Sequence, residues 1–265
     1  MRKLLLFFLI IVSANLQNCA NVEDNIIPSE NNGGENNGGN SPTTTANLPI
    51  KITSSTNIIE IKYDNQDRFI EILKKDHNGY LKEKSIFIYK NDSLKNIKMN
   101  SYAYQTENNR FVTFNYSNDT IYVTSEGVGF GINFNYLERL AVNNEGMLLY
   151  IKGITPSSDR SFNNDANGNI IFFDNLGHQG TLSYDSSNGI FKSVKLPYWS
   201  KAYILGNYIS YSLNYNYENN VLSVDYKSNA FVSEEFYYEY NQQNYPERVL
   251  HKDNWSEEFE IEYSK

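Results

Sequence analysis

The sequence predicts an all-β protein, an antiparallel β-meander curled into an open roll or half-barrel that follows a signal peptide and a disordered linker. Three observations carry this reading. Aromatic residues make up 15% of the chain, with 22 Tyr and 15 Phe, and rigid rings pack well against cross-strand neighbours on a pleated surface. Beyond residue 48 the dominant hydrophobic period is two, the alternation of strands with one face on a core and one in water. Between the alternating runs stand Asn78-Gly79, Asn167-Gly168 and Asn188-Gly189, pairs that supply the positive φ angles of tight hairpins.

The chain opens with Arg2 and Lys3, an apolar run over residues 4–12, and the small or polar Ser13, Ala14 and Asn15, the three-part layout of a secretory leader. The run is far shorter than the about 20 residues needed to span a hydrocarbon core, so cleavage is expected over a permanent span. Residues 1–18 are therefore read as signal peptide. Cys19 is the only cysteine of the chain, which excludes an intramolecular disulfide and any multi-thiolate zinc site.

Residues 19–47 read as a tether. Apart from Ile26 and Ile27 they hold almost no large apolar residue, and their centre is the Asn/Gly-rich run 31–40. Such a segment cannot bury enough surface to offset its ordering entropy. As a random coil of about 27 residues it would span roughly 25 to 30 Å.

Residues 48–265 are read as one all-β domain. Ile59, Ile61 and Tyr63 alternate with Glu60, Lys62 and Asp64; the run 209–217 alternates in the same way, as do Leu222, Val224 and Tyr226, and Phe259, Ile261 and Tyr263. The best helical stripe, residues 136–142, is short. The glycines of residues 127–131 lack a following basic residue and helix, and read as a bend or bulge in the sheet. Glu258, Glu260 and Glu262 line one face of the last strand, where charge would discourage edge-to-edge pairing.

Two resemblances follow from particular residues. Leu16-Gln17-Asn18-Cys19 resembles the lipobox of bacterial lipoproteins, with Asn18 departing from the usual small residue before the cysteine, and implies Cys19 as the lipid acceptor. Glu23 and Asp24 just downstream resemble the surface-export signals of Bacteroidota lipoproteins. The hairpins also echo one another: Tyr63-Asp64 leading to Phe69, and Tyr184-Asp185 leading to Ile190, each join a tyrosine, a polar turn and an apolar run expected to be the return strand, with looser copies from Tyr89, Tyr217 and Tyr240. These resemble the tyrosine–aspartate repeat of bacterial surface proteins and uncharacterised Bacteroidota outer-membrane lipoproteins, and imply a fold but no activity. Physically, the ring would pack on the sheet with its hydroxyl in water while Asp holds the turn amides.

The formal charge is −8, and loss of Arg2 and Lys3 with the leader takes it to about −10, so no phosphate-neutralising surface and no nucleic-acid partner is expected. His77, His178 and His251 are far apart and read as exposed polar residues, and no cofactor is expected. Asn163, Asp165, Asn167 and Asp174 occupy alternate and terminal positions of a calcium-loop pattern, without its flanking helices; an Asn-Gly hairpin explains most of it. Tyr198, Trp199, Tyr203, Tyr208 and Tyr211 are the candidate contact face for a glycan, peptide or lipid, with ordinary packing as the plainer reading.

The expectation is thus a lipid-anchored cell-envelope protein, attached to the outer membrane through Cys19 and acting as a binding or structural module rather than an enzyme. The alternatives are a glycan hydrolase, which needs converging carboxylates, and a lipid carrier, which needs a closed apolar cavity.

Overall fold

The computed structural model describes residues 47–102, 108–129, 131–155, 158–175, 178–209, 213, 215–227, 232–252 and 257–264. All lie in the unit Thr43–Lys265. The leader, Cys19, the tether and Tyr211 fall outside the described residues.

The strands are β1 (Pro49–Ser54), β2 (Ile58–Tyr63), β3 (Phe69–Lys75), β4 (Leu81–Lys90), β5 (Ser93–Ser101), β6 (Asn108–Ser117), β7 (Thr120–Gly129), β8 (Ile132–Val142), β9 (Leu148–Lys152), β10 (Arg160–Asn164), β11 (Ile170–Asn175), β12 (His178–Tyr184), β13 (Val221–Tyr226), β14 (Glu234–Tyr240), β15 (Pro246–Lys252) and β16 (Glu257–Tyr263). Each pairs antiparallel with its sequence neighbours, and β1 pairs with β16. The result is a closed barrel of sixteen described strands, not the open roll or half-barrel the alternation suggested. Closure follows from the last strand. Phe259 and Ile261 lie opposite Ser54 and Ile52 and share their inner face, while Glu262 reaches Lys51 at 2.5 Å on the outer one. β16 is therefore no edge, and Glu258 and Glu262 pair with Arg248 and Lys51 on the neighbouring strands rather than guarding an open ladder.

One rim carries the start of β1, the end of β16 and the connections leaving even-numbered strands; we call it the near rim. Its turns repeat one device. Asp64, Asn143, Asp165 and Asn241 each accept, on one side-chain oxygen, the amides two and four residues on, at 2.9–3.0 Å. The residue three on has positive φ: Asp67, Gly146, Gly168 and Asn244. Asp76 and Gly79 build the same turn on the far rim. Aspartate as turn-former is thus as expected.

The tyrosines differ from expectation. Near the ends of even-numbered strands, Tyr63, Tyr89, Tyr116, Tyr184, Tyr238 and Tyr263 donate their hydroxyls not to water but to the carbonyls of Pro49, Phe69, Leu94, Ile170, Val221 and Pro246, at 2.6–2.9 Å. Asn164 does the same to Leu148 through its amide. Each bond ties the end of one strand to the start of the strand before it, because a carbonyl at a strand's first turn is the nearest acceptor an inward phenol can reach.

Residues 185–220 join β12 to β13, which pair directly, and the described ones fill the lumen. Within this insert lie helix α1 (Tyr198–Ile204) and a π-helical turn, Leu205–Ile209. No described residue of the run 209–217 lies in a strand: Ile209 ends the π-helical turn, and Leu213, Tyr215, Asn216 and Tyr217 lie in 3-10, turn and irregular backbone. Asn188-Gly189 leads into the insert rather than a hairpin, and Ile190, Phe191 and Val194 are buried turn residues, not a return strand. Ile209, Leu213, Asn216 and Tyr217 are all buried, so the period of two in their run marks no division between a wet and a dry face. Residues 136–142, the best helical stripe, lie in β8. Gly127 sits in β7 without a register shift; a Cβ there would come within 1.9 Å of the Asn109 carbonyl oxygen, so close strand approach, not a bulge, requires glycine.

The insert and the inward strand positions form one core. Trp199 and Tyr203 pack on Phe114, with ring centroids 5.6 and 5.7 Å apart, and Phe191 meets Phe69 edge-on at 6.3 Å. Lys201, buried inside α1, is paired with Glu218 at 3.0 Å; burial pulls its amine below the usual range against that partner.

The outer wall is charged. Glu71 bridges Lys62 and Lys84 at 2.7 and 2.9 Å across three strands, and Arg248 bridges Glu239 and Glu258 across another three. Lys75 pairs with Glu60 at 2.7 Å, and the guanidinium of Arg139 lies 5.7 Å from the Tyr122 ring. Exposed apolar residues such as Ile86, Leu137 and Ile171 stand among these groups.

Candidate functional site

Followed along the inner face from the near rim, the side chains change character. β3 runs from Phe69 and Ile72 to Lys74; β4, read back from the near rim, from Phe87 to Ser85 and Glu83; and β16 from Ile261 and Phe259 to Glu257. On the other side Leu140 gives way to Glu138, Val112 to Arg110, and Ile151 faces Arg160. A lumen sealed by apolar packing at one end is therefore polar at the other. The tip of the insert, Gly206 and Asn207, is exposed there.

Two cavities flank that tip. The larger, about 390 Å³, is lined by Ile52, Ile59, Lys74, Glu83, Asn57, Asn207, Tyr208, Glu257 and Phe259. The smaller, about 250 Å³, is lined by Arg160, Phe162, Asn175, Tyr203, Asn207 and Tyr215. Asn207 borders both, its amide bonded to the Tyr203 carbonyl at 2.6 Å.

Around the barrel between them, on β6 to β10, runs a partly buried polar cluster. Glu138 takes Arg160 at 3.0 Å and the Tyr203 hydroxyl at 3.3 Å, and Arg110 donates to Ser125 at 3.1 Å with Tyr136 stacked near its guanidinium. Burial pulls the Arg110 guanidinium down, but the Tyr208, Tyr203 and Tyr136 phenols and Glu138 outweigh it and hold its pKa above the ordinary value. Burial pushes the Tyr208 phenol up to about 12. Among the described residues the Arg110 Nε and the Tyr208 hydroxyl have no hydrogen-bond partner.

His251, expected to be exposed, is 4% exposed because its strand position faces inward. Its Nε2 lies 3.0 Å from Glu234, whose other oxygen accepts the Tyr226 hydroxyl at 2.6 Å, and Phe236 stacks on its ring at 4.6 Å. Ring-covered and mutually satisfied, this trio resembles a buried polar brace more than a proton-transfer centre. His77 and His178 are exposed.

The other sequence candidates scatter. Trp199, Tyr203 and Tyr208 lie buried on the insert and Tyr198 beside them is partly buried, so these four pack inside the barrel rather than lining its outer wall. Asp165 spends its carboxylate on the amides of Asn167 and Asn169 and on the Asn169 side chain. Asp174 stands at the other end of β11, roughly 13 Å along the strand from Ile170, bonded to Gln179 at 2.9 Å. The structure therefore does not bring Asn163, Asp165, Asn167 and Asp174 around one point, and no cluster of three or more potential metal ligands occurs among the described residues. The polar lumen was missed in the sequence; its signal was the charged residue at the far end of each inward series.

No known family model matches the chain, and no curated protein matches it in sequence. Solved structures similar to it include a porin-like protein from Bacteroides vulgatus, at 12% identity and a TM-score of 0.42, covering 82% of this chain and 99% of that one. A porin-like protein from Bacteroides uniformis is similar at 11% identity and a TM-score of 0.36, covering 82% and 96% of the two chains. At these scores neither likeness bears on function.

Proposed function

We propose that this chain is a lipid-anchored protein of the outer membrane whose barrel stands in water and binds a small polar ligand at the far end of its lumen. The observation that carries the reading is the outer wall. A lipid-embedded barrel presents an apolar band about 25 Å tall, and an Arg or Lys at mid-bilayer costs roughly 2 to 4 kcal/mol. Here Lys62, Lys84, Lys75 and Arg248 project from that wall in ion pairs, and the lumen that would conduct is filled. Attachment through the wall is thus disfavoured, which leaves the Leu16-Gln17-Asn18-Cys19 motif and its leader as the means of attachment.

The larger cavity speaks against an acyl-chain carrier, since Lys74, Glu83 and Glu257 stand on its wall. A hydrolase is supported only by the two glutamates at that cavity, without an activated nucleophile beside them.

Metabolic labelling with a clickable fatty acid tests the anchor. The full-length protein should carry label and sediment with outer membranes, and Cys19→Ser should abolish both. Label that survives Cys19→Ser, or membrane retention without label, would overturn the reading.

A further inference from the structure

Lys62, Glu71, Lys84, Lys75, Glu60 and Arg248 on the outer wall stand in ion pairs; the charged residues facing the larger cavity do not. Lys74 and Glu83 stand directly opposite each other across β3 and β4, Cβ atoms about 5 Å apart by ladder geometry, yet they form no ion pair in the structure. Glu257 at the start of β16 likewise has no side-chain partner among the described residues. Tyr208, only 4% exposed, lines the same cavity, while its hydroxyl is shut off from solvent on the side of Arg110 and Glu138.

Resting on the reading of this protein as a binding module, we infer that the cavity is a saccharide site that takes one or two sugar rings. A lysine only donates and an ionised glutamate only accepts, so a wall carrying both sides of the inventory suits groups that do both, which hydroxyls are. A ligand carrying charge of a single sign would be matched by a wall of the opposite sign, which this wall is not. Tyr208 and Phe259, beside Ile52 and Ile59, give the cavity an apolar side for the C–H face of a sugar ring. At about 390 Å³ the space lies at the lower end of small-molecule sites, which span about 300 to 1,000 Å³. It is too small for a long chain, and Asn207 at the insert tip would close over the ring.

The test is titration of the mature full-length protein, held in a detergent without a sugar headgroup, against glucose, galactose, mannose, N-acetylglucosamine, glucuronate, maltose and cellobiose, with glycine and lysine alongside. At least one saccharide should bind. Glu83→Gln, Glu257→Gln and Lys74→Met should each weaken it about tenfold or more, the loss of one charged hydrogen bond, while Arg248→Gln on the outer wall leaves it unchanged. Asn207→Ala, at the exposed insert tip on the cavity wall, should also weaken it and serves if a charge variant fails to fold. Silence toward every saccharide from folded protein, binding indifferent to all four cavity variants, or binding of the amino acids alone would overturn the inference. The anchor is judged separately: Cys19→Ser protein that is released but still binds sugar leaves this inference standing whatever becomes of the acyl group.

Discussion

The carboxylate of Asp185 holds the amide of Asn220 at 3.0 Å, closing across an entire insert the turn that Asp165 closes onto Asn169 at 2.9 Å. The backbone amide of Asp185 likewise donates to the Asn220 carbonyl at 3.0 Å, as that of Asp165 does to Asn169. The lumen-filling segment is thus spliced into an ordinary near-rim turn, whose aspartate became the clasp of its mouth.

Asp185→Ala should cost more than Asp165→Ala. The Asp185 carboxylate serves the amides of Ser187 and Asn220, the Asn220 side chain and the Tyr240 hydroxyl. Losing charged acceptance to several groups predicts a loss of about 2 to 4 kcal/mol, read from urea unfolding. A loss no greater than that of Asp165→Ala would show that packing alone holds the insert.

Tyr184→Phe removes the hydroxyl that donates to the Ile170 carbonyl at 2.8 Å and adds nothing in its place. Stability should fall by about 1 to 2 kcal/mol, with an unchanged denaturant slope. No change in the unfolding midpoint would mean that water reaches that carbonyl.

Burial raises the phenols of Tyr63, Tyr184, Tyr203, Tyr217 and Tyr238 well above their ordinary value, and that of Tyr208 to about 12. Below pH 10 these groups are protonated in both folded and unfolded chains. Above it the unfolded chain releases protons that the folded chain keeps, so stability falls as pH rises from about 10 towards 12. Tyrosinate absorbance should therefore rise in a cooperative step together with loss of circular dichroism. Gradual titration of all tyrosines with the fold intact would contradict the buried placement.

Gly180→Ala places a Cβ 2.5 Å from the Phe173 ring, on the inner face of the narrow pair β11 and β12. Overpacking of this kind predicts a destabilisation of about 1 to 3 kcal/mol, measured by thermal melting. A neutral outcome would show that Phe173 can leave its stack on Tyr215.

Much of the strand pattern was legible because period-two alternation records which face is wet: Ile59 and Ile61, and Phe259 and Ile261, point as their sequence implied. Closure was not, since nothing local in β1 or β16 states that Lys51 will meet Glu262 across the length of the domain. The insert was misread because Trp199, Tyr203 and Tyr208 are buried on a helix enclosed on all sides, which erases the one-sided stripe that betrays a surface helix. Pro197, the N-cap residue of α1, and the fourfold spacing of Trp199 and Tyr203 were the available signals. The polar lumen escaped notice because Lys74, Glu83 and Glu257 look like solvent-facing charges until register assigns them to the inner wall.

The central claim is that the barrel wall belongs in water, and the most direct measurement is sedimentation of residues 48–265 in detergent-free buffer. The account predicts a dispersed, folded β-protein whose circular dichroism is unchanged by adding detergent. A chain that aggregates without detergent and folds only when micelles or vesicles are supplied would contradict it.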